Sequence, residues 1–157
     1  MPISLIRIDD RLIHGQVVVG WSKFIQADHI IVADDKVAGD MTQRMLYEMV
    51  VPPGMKVNIF TVREAAEFLK TNQNASERII LLFSTPQDVL SYSGFGGPVK
   101  SLNVGGMRYE PGKRQIAQSI SMDDADANAF RELRLQGIEI EGRAVPTDNP
   151  LDISRFI

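Results

Sequence analysis

Two arginines, two aspartates and a histidine lie within eight residues near the start of the sequence, in the segment Arg7-Ile8-Asp9-Asp10-Arg11-Leu12-Ile13-His14. A neutral imidazole is a competent nucleophile near pH 7, because its unperturbed pKa is about 6.5. Arginine side chains bind anions through charge-assisted hydrogen bonds. These residue types fit an anion site with a nucleophile, although a solvated, charge-balanced loop with an incidental histidine would have the same composition.

The position of His14 between two predicted elements favours the anion site. Residues 3–8 have the pattern of a strand, and residues 15–25 have that of a helix that starts directly after His14. The free backbone N–H groups and the positive dipole end of a helix N-terminus attract anions. A group bonded to His14 would lie beside them.

Three neighbours of His14 are candidate ligands for a bound phosphoryl group. Arg11, three residues earlier on the same loop, can reach back and bind phosphate with both ends of its guanidinium. Gly15 has no side chain to crowd an incoming partner, and together with Gln16 it begins the predicted helix. Backbone N–H groups at this position would face the anion.

The two aspartates are unexpected next to an anion. Asp9 and Asp10 would repel a phosphate unless they pair with the arginines or orient the N–H group of the imidazole. Asp10 and Arg7 are therefore candidates for a supporting role, and the sequence leaves both arrangements open.

His29, the other histidine of the chain, has a different context. It opens an apolar run, His29-Ile30-Ile31-Val32-Ala33, which predicts a buried strand with the histidine hydrogen-bonded at its start. Asp34-Asp35 follow, and paired acids at a strand end also occur at the Mg²⁺ sites of receiver domains. A receiver needs a phosphoacceptor aspartate after a later strand. The predicted strands at 56–61 and 79–83 end without one, which argues against a receiver.

Strand and helix patterns alternate at intervals of about 25 residues, as in the right-handed crossovers of a parallel sheet. The apolar runs at 29–33 and 79–83 predict strands buried on both faces. No linker rich in Pro, Gly or Ser divides the sequence. We therefore expect an α/β fold, in which residues 1–157 form a single domain with a doubly wound, mostly parallel β-sheet and helices on both faces.

The individual elements follow from the apolar periodicity and from the caps. In the helix at 40–50, the residues Met41, Met45, Leu46 and Met49 share one face. The predicted strands are 3–8, 29–33, 56–61, 79–83, 101–104, 118–122 and 138–145. The predicted helices are 15–25, 40–50, 63–70, one from Pro86 and one from Asp123 or Asp124 to about Gln136, with a final turn at 151–157.

Ser84 and Thr85 follow the predicted strand at 79–83. Ligands of doubly wound sheets bind at the carboxyl ends of the strands, so these hydroxyls are candidates for contacts with a phosphoryl group on His14. Thr85 equally suits the N-cap of a helix that begins at Pro86. Both interpretations are open.

The composition excludes several classes of function. The chain of 157 residues has a formal net charge of -3 and no cysteine, so binding of nucleic acid, thiol catalysis and cysteine-ligated metals are not expected. The two histidines are too far apart for a metal-ligand motif, and no metal or cofactor is required. No apolar run approaches the roughly 20 residues of a membrane span, and the N-terminus lacks the pattern of a signal peptide. These features fit the cytoplasm.

The segment Arg7 to Val17, RIDDRLIHGQV, resembles the active-site segment of the enzyme IIB subunits of the mannose–fructose–sorbose class of the bacterial sugar phosphotransferase system. Similar landmarks follow along nearly the whole chain. They are Trp21-Ser22, Pro52-Pro53-Gly54-Met55-Lys56-Val57, Leu102-Asn103-Val104-Gly105-Gly106-Met107, Gly112-Lys113 and Phe130-Arg131-Glu132-Leu133.

This resemblance implies a phosphocarrier without a cofactor. Members take a phosphoryl group from a phosphohistidine on the IIA subunit and pass it to a sugar brought in by the membrane subunits IIC and IID. The implied enzyme is a phosphotransferase of the protein-N(π)-phosphohistidine–sugar type. The family histidine falls on His14, and the arginine three residues before it falls on Arg11. Either ring nitrogen of His14 could carry the phosphate, and mannose, fructose, sorbose or N-acetylgalactosamine could be the sugar.

The resemblance also implies partners and a place in the cell. IIA is expected as a separate chain, the transporter would hold this subunit at the cytoplasmic side of the membrane, and a homo-oligomer is open. Transfer to two partners requires His14 on an exposed loop, inside a partly apolar docking face of residues 9–18 and 84–86. The alternative function is a regulatory phosphoprotein of the same fold that signals its phosphorylation state, and a third is an unrelated anion- or nucleotide-binding domain.

Overall fold

The computed structural model describes residues 3–72 and 76–157. The strands are β1 (Ile3–Asp9), β2 (His29–Ala33), β3 (Lys56–Phe60), β4 (Ile79–Phe83), β5 (Ser101–Gly106), β6 (Arg114–Ala117), β7 (Ile120–Met122), β8 (Glu139–Gly142) and β9 (Leu151–Asp152). The helices are a π-helical turn (Gln16–Trp21) that continues as α1 (Ser22–Ile25), then α2 (Asp35–Ala38), α3 (Met41–Val50), α4 (Val62–Thr71), α5 (Pro86–Gly94) and α6 (Asp124–Leu135), and a 3₁₀ turn (Ile153–Phe156). Within these two ranges, no helix is long and apolar enough to span a membrane.

Seven strands form one sheet in the order β3-β2-β4-β1-β5-β8-β9, and β6 pairs with β7 in a separate hairpin. Neighbouring strands of the large sheet are parallel except β8 and β9, which are antiparallel. The expected α/β fold with a mostly parallel sheet is confirmed. Because β1 lies between β4 and β5, the loop that follows it leaves the middle of the sheet at its carboxyl edge.

The side chains of the central strands alternate between two apolar clusters, one on each face of the sheet. On β2, Ile31 and Ala33 belong to the first cluster, and Ile30 and Val32 to the second. Helices therefore cover both faces, as expected. The first cluster is completed by Ala65, Ala66 and Leu69 of α4, Val89 and Tyr92 of α5, and Ala127, Phe130 and Leu133 of α6; the second is completed by Val17 and Trp21 of the π-helical turn and Val37 of α2.

Side-chain caps fix where the helices on the first face begin. The hydroxyl of Thr85 accepts a hydrogen bond from the backbone N–H of Asp88, and the carboxylate of Asp123 accepts one from that of Asp126. Thr85 and Asp123 are thus the N-caps of α5 and α6, as the sequence predicted. Gly137 follows α6 with a φ of 83°, a conformation that glycine adopts without strain.

Several elements differ from the predictions: α2 was not predicted, and the predicted final turn at 151–157 begins as the strand β9. Three further differences have a visible cause. The first helix begins as a π-helical turn, with the Ser22 hydroxyl bonded to the carbonyl of Val18. The predicted strand at 118–122 is one arm of a hairpin whose other arm, β6, has too little apolar alternation to be recognised. The predicted strand at 138–145 ends at Gly142, because the next two carbonyls, of Arg143 and Ala144, turn to a side chain of β1.

The shared apolar face of α3 points to solvent. Met41, Met45, Leu46 and Met49 have exposed fractions of 77, 57, 59 and 77%. The inner face of the helix is held instead by polar and aromatic contacts. Tyr47 packs against the second cluster, and Arg44 donates to the carbonyl of Ala38 over 3.0 Å.

Gly97 leaves space for the ring of Tyr92, whose hydroxyl forms a hydrogen bond across the turn after α5. A Cβ atom at Gly97 would lie 2.3 Å from the ring of Tyr92, which is fully buried and donates its hydroxyl to the Pro98 carbonyl. We expect Gly97→Ala to lower the free energy of unfolding by roughly 1–3 kcal/mol, as other overpacked core substitutions do. Urea denaturation measures this difference.

Gly94→Ala is the matched control three residues earlier. A Cβ atom there meets no atom of the described residues within 4 Å, so the change should stay below about 1 kcal/mol. Equal losses in the two variants would show that the ring of Tyr92 does not set the requirement for glycine.

Candidate active site

The loop after β1 folds back tightly over the end of its own strand. Leu12 has a φ of 56°, in the left-handed region, and its backbone N–H donates to the carbonyl of Asp9 over 2.8 Å. The side chains of Leu12 and Ile13 are almost fully buried in the second apolar cluster. These two anchors fix the backbone directly before His14, so the histidine is held at the carboxyl edge of the central strand.

His14 is bound to the buried carboxylate of Asp9. Its Nε2 lies 2.8 Å from Oδ2 of Asp9, while Nδ1 makes no hydrogen bond with the residues that the structure describes. The imidazole side chain is 17% exposed, less than expected for a protruding loop. The bond to Asp9 explains the difference, because it draws the ring in toward the strand. The His14 carbonyl accepts the N–H of Val18, which opens the π-helical turn.

Asp9 collects hydrogen bonds from three residues although its own side chain has no exposure. Oδ2 accepts from Nη2 of Arg7 over 3.0 Å, and Oδ1 accepts from the backbone N–H of Arg11 over 3.1 Å and from its Nε over 3.3 Å. Burial alone would raise the pKa of Asp9, but the bonds from His14 and Arg11 outweigh it and lower the pKa to about 2. The carboxylate is therefore ionised and can only accept, so it holds the proton of His14 on Nε2 and leaves the lone pair on Nδ1.

Arg11 lies beside this pair at the surface. Its side chain is 49% exposed, and its Nη2 lies 3.4 Å from Oδ2 of Asp9 in addition to the contact through Nε. The guanidinium thus borders the same carboxylate as His14, with part of its surface open to solvent. This is the position that the sequence assigned to an anion ligand.

The other acidic residue of the loop, Asp10, points away from His14. Its Oδ2 accepts from the backbone N–H and from Nε of Arg108, over 2.8 and 3.1 Å. Both aspartates therefore pair with arginines, and Asp9 orients the imidazole as well. Arg7 is fully buried and reaches this group through its ion pair with the carboxylate of Asp9.

Among the described residues, no hydrogen bond joins Gly15, Ser84 or Thr85 to the side chains of Asp9 and His14. Gly15 is exposed, and a Cβ atom there would meet no described atom within 4 Å. Gln16 begins the π-helical turn, and its side chain lies outside the described part of the chain. The Ser84 hydroxyl donates to Asp34 over 2.8 Å, and Thr85 caps α5. The hydroxyls of Ser84 and Thr85 thus already have hydrogen-bond partners within the protein.

His29 has the setting of a structural strand histidine. It is 3% exposed, with Nδ1 3.0 Å from Glu77 and Nε2 2.7 Å from Asn58. Both ring nitrogens are therefore occupied, which leaves no free nucleophile at this position.

The buried polar side chain that supports Arg7, that of Asn103, was not identified from the sequence. Asn103 on β5 accepts from Arg7 Nη1 over 2.6 Å and donates to Glu141 on β8 over 3.0 Å. Arg143 contributes its carbonyl. An asparagine inside the otherwise apolar strand Leu102-Asn103-Val104 was the available signal, since buried amides are kept where they find partners.

An open cavity of about 910 Å³ adjoins the loop at the carboxyl edge of β1, β5 and β8. Asp10 and Arg11 line one side, and the hairpin residues Gln118 and Ser119 line another. Among residues 3–72 and 76–157, no three His, Asp or Glu side chains are grouped as metal ligands.

Comparisons with known proteins agree on one family. The family model described as "PTS system sorbose subfamily IIB component" matches residues 3–157. The sorbose-specific EIIB component of Klebsiella pneumoniae is 42% identical over 153 residues, which are 98% of this chain and 93% of that protein. The mannose-specific EIIAB component of Escherichia coli K12 is 41% identical over 157 residues, which are 100% of this chain and 49% of that protein.

A solved structure gives the same result. The crystal structure of the IIBSor domain of the sorbose permease from Klebsiella pneumoniae superposes with a TM-score of 0.90 at 42% sequence identity, over 98% of this chain and 94% of that one. The fold and the site define a mostly parallel α/β domain with a histidine, hydrogen-bonded to a buried carboxylate, at the carboxyl edge of its central strand. The chain belongs to the sorbose subfamily of IIB components of the sugar phosphotransferase system, which confirms the resemblance seen in the sequence. As a IIB component it takes part in sugar phosphotransfer and is a phosphotransferase.

Asp88, which lies near Ser84 and is affected by the charges of Asp34 and Asp35, predicts that stability depends on pH. Burial, and then the charges of Asp34 and Asp35, raise the pKa of Asp88 to about 6. The folded state therefore holds this proton more tightly than the unfolded chain, so the contribution of Asp88 to stability falls as the pH rises from about 4 to 6 and is level above. Asp88→Asn should remove this decline.

At pH 7 the substitution should gain roughly 1 kcal/mol. A shift of about two units corresponds to roughly 3 kcal/mol, which partial exposure and the lost helix-dipole interaction at the start of α5 both reduce. Thermal denaturation at pH 4, 5, 6 and 7 measures the trend in both proteins. Parallel curves would show that Asp88 titrates normally in the folded state.

Proposed function

We propose that His14 is the phosphocarrier residue, which accepts a phosphoryl group from a phosphohistidine of a IIA subunit and passes it to a sugar at the membrane subunits IIC and IID. The observation that carries this proposal is the hydrogen bond from Nε2 of His14 to the buried, ionised carboxylate of Asp9, which directs the lone pair of Nδ1 outward. Family membership supplies the reaction class. A mannose-specific relative carries IIA and IIB together in its name, EIIAB.

Nδ1 of His14 is the nucleophile in the transfer step that we infer. Its lone pair forms the new N–P bond while the N–P bond of the donor breaks, and the electron pair returns to the donor imidazole. His14 keeps its proton on Nε2 and becomes a cationic ring, whose charge the Asp9 carboxylate stabilises at 2.8 Å. In the onward transfer a sugar hydroxyl oxygen forms the new O–P bond and gives up its proton to water. The N–P bond of His14 breaks with its electron pair returning to Nδ1, and the ring becomes neutral again.

Arg11 is the inferred ligand of the phosphoryl oxygens. Its guanidinium already lies against Asp9, and half of its surface is open. When Nδ1 carries a phosphoryl group, the negative charge beside the ring favours contact with the guanidinium. Preorganised positive charge of this kind lowers the barrier without chemistry by the arginine itself.

The surface around His14 is the docking face in this proposal. Gly15 is exposed and Val19, one turn further along, is 58% exposed. Two partners must approach Nδ1 at different times, so the contacts have to be transient. Exposed apolar area beside charges that are already paired, those of Arg11 and of Asp10 with Arg108, fits such an interface.

Phosphorylation should occur at Nδ1 of His14. After incubation with phosphorylated IIA, we expect alkali-stable, acid-labile phosphate on the peptide that contains His14, and nitrogen-15 NMR of the ring should assign the bond to Nδ1. His14→Gln should abolish labelling, and His29→Gln, which keeps amide groups for both hydrogen-bond partners, should retain it. Phosphate on His29, on a serine, or on Nε2 of His14 would contradict this.

Arg11→Ala should slow transfer by roughly ten- to a hundredfold, because a charge-assisted contact is worth about 1.5–3 kcal/mol. Arg11→Lys should recover part of the rate, since it keeps the charge but loses the planar fork. The matched control is Arg114→Ala, which removes an arginine of equal exposure, 49%, that pairs with Asp124 outside the site. Stopped-flow transfer from phosphorylated IIA measures the rates; equal rates in the Arg11 and Arg114 variants would remove Arg11 from the mechanism.

A further inference from the structure

We propose that Arg7 is a positioning residue for phosphoryl transfer: its buried guanidinium holds Asp9 in the place from which the carboxylate fixes the ring of His14. This inference rests on the proposed role of His14 and extends it to a residue that does not touch the phosphoryl group. It is supported by the hydrogen bonds of Arg7, by the space around its side chain and by the charge balance of the buried group.

The bonds of Arg7 and His14 end on the same oxygen atom. Oδ2 of Asp9 accepts from Nη2 of Arg7 over 3.0 Å and from Nε2 of His14 over 2.8 Å. Any displacement of the guanidinium therefore moves the acceptor that sets the direction of the ring. Arg7 and His14 are thus coupled through one atom, although seven positions separate them in the sequence.

Arg7 is itself clamped by groups from distant parts of the chain. Nη2 also donates to the carbonyl of Ala144 over 3.0 Å, and Nη1 donates to Oδ1 of Asn103 over 2.6 Å and to the carbonyl of Arg143 over 2.9 Å. The Trp21 ring lies 5.3 Å from the guanidinium carbon. Only a planar fork with several donors can satisfy all four acceptors at once, which a lysine ammonium at the end of a flexible chain does not.

Two glycines of β5 provide the space for this side chain and for Asp9. A Cβ atom at Gly105 would lie 1.9 Å from the guanidinium carbon of Arg7, and one at Gly106 would lie 3.0 Å from Oδ1 of Asp9. The absence of side chains at Gly105 and Gly106 thus leaves the space that the guanidinium of Arg7 and the carboxylate of Asp9 occupy. A site built around these two side chains points to a function beyond packing, since apolar residues would fill the same space at lower cost.

The charge balance shows why Asp9 needs this partner. Burial lowers the pKa of Arg7, and the neighbouring Asp9 opposes that effect. The guanidinium nevertheless keeps its proton because its ordinary pKa is so high. Without that charge, the buried carboxylate would have to protonate or turn toward solvent. In either case Nε2 of His14 loses its fixed acceptor, and the proton of the ring is free to move to Nδ1, the nitrogen that has to attack.

Arg7→Lys tests the proposal through the tautomer of His14, which nitrogen-15 NMR reads without any transfer reaction. In the wild-type protein we expect the Nε2–H form alone. In Arg7→Lys we expect a mixture with the Nδ1–H form, together with a loss in transfer rate from phosphorylated IIA on the order of tenfold or more, as for other residues that orient a reacting group from behind. A variant with the wild-type tautomer and the wild-type rate would overturn the proposal.

Two further variants separate positioning from stability. Leu69→Ala removes a fully buried side chain from the first apolar cluster and should lower stability without changing the tautomer or the rate. If Arg7→Lys does not fold, Asn103→Ser, which weakens one of the four bonds to the guanidinium, should give a smaller tautomer shift. The same shift in Leu69→Ala would contradict a specific role of Arg7. A wild-type chain whose His14 accepts no phosphate would end the proposed function, whereas the tautomer comparison would still decide whether Arg7 orients the ring.

Discussion

A buried negative charge must be compensated, and the site is arranged around the way this chain compensates Asp9. The carboxylate has no contact with water, so each of its oxygens requires donors from the protein. Arg7 approaches from the strand, and Arg11 and His14 approach from the loop. The left-handed conformation of Leu12 follows from this demand, because the loop has to turn back sharply for its N–H groups and side chains to reach the strand they have just left.

The sheet provides a rigid base for that arrangement. β1 has a parallel neighbour on each side, and helices cover both faces, so its carboxyl end is restrained in every direction except toward solvent. The nitrogen of His14 that we propose to be reactive is oriented at this edge by a carboxylate that is itself held by two arginines. Phosphoryl transfer between two proteins needs little beyond an oriented nucleophile and nearby positive charge, and a preorganised edge supplies both.

Much of the fold could be predicted from the sequence, and so could the candidate site residues His14 and Arg11, whose roles stay predictions. The strand 29–33 and the strand 79–83 have long apolar runs with clear ends, and both were predicted with their observed bounds. His14 and Arg11 were visible because a loop motif keeps all its parts within a few residues. The burial of Arg7 was not visible, since it depends on Asn103, Arg143 and Ala144, which lie 96 to 137 positions away.

The remaining errors have physical reasons of the same kind. The hairpin arm β6 is short and polar, so nothing in its pattern distinguishes it from a loop. The π-helical turn depends on how Val17 and Trp21 pack beneath the sheet, which a local pattern does not contain. For α3 the periodicity predicted a shared apolar face but not its direction, which is set by the packing of Tyr47 on the opposite side of the helix.

The central position of β1 in the sheet also has a consequence for the nascent chain during translation. Within this chain β1 is synthesised before both of its neighbours, residues 79–83 and 101–106, and the carbonyls that bind Arg7 come later still. The mainly apolar segment Ile3 to Ile8 therefore has no sheet partner until residues 79–83 have been synthesised. During that time Arg7, Asp9, Asp10 and Arg11 are hydrated charges that discourage this segment from pairing with other chains. The charged residues around His14 thus also occupy positions at which charge opposes strand pairing between chains.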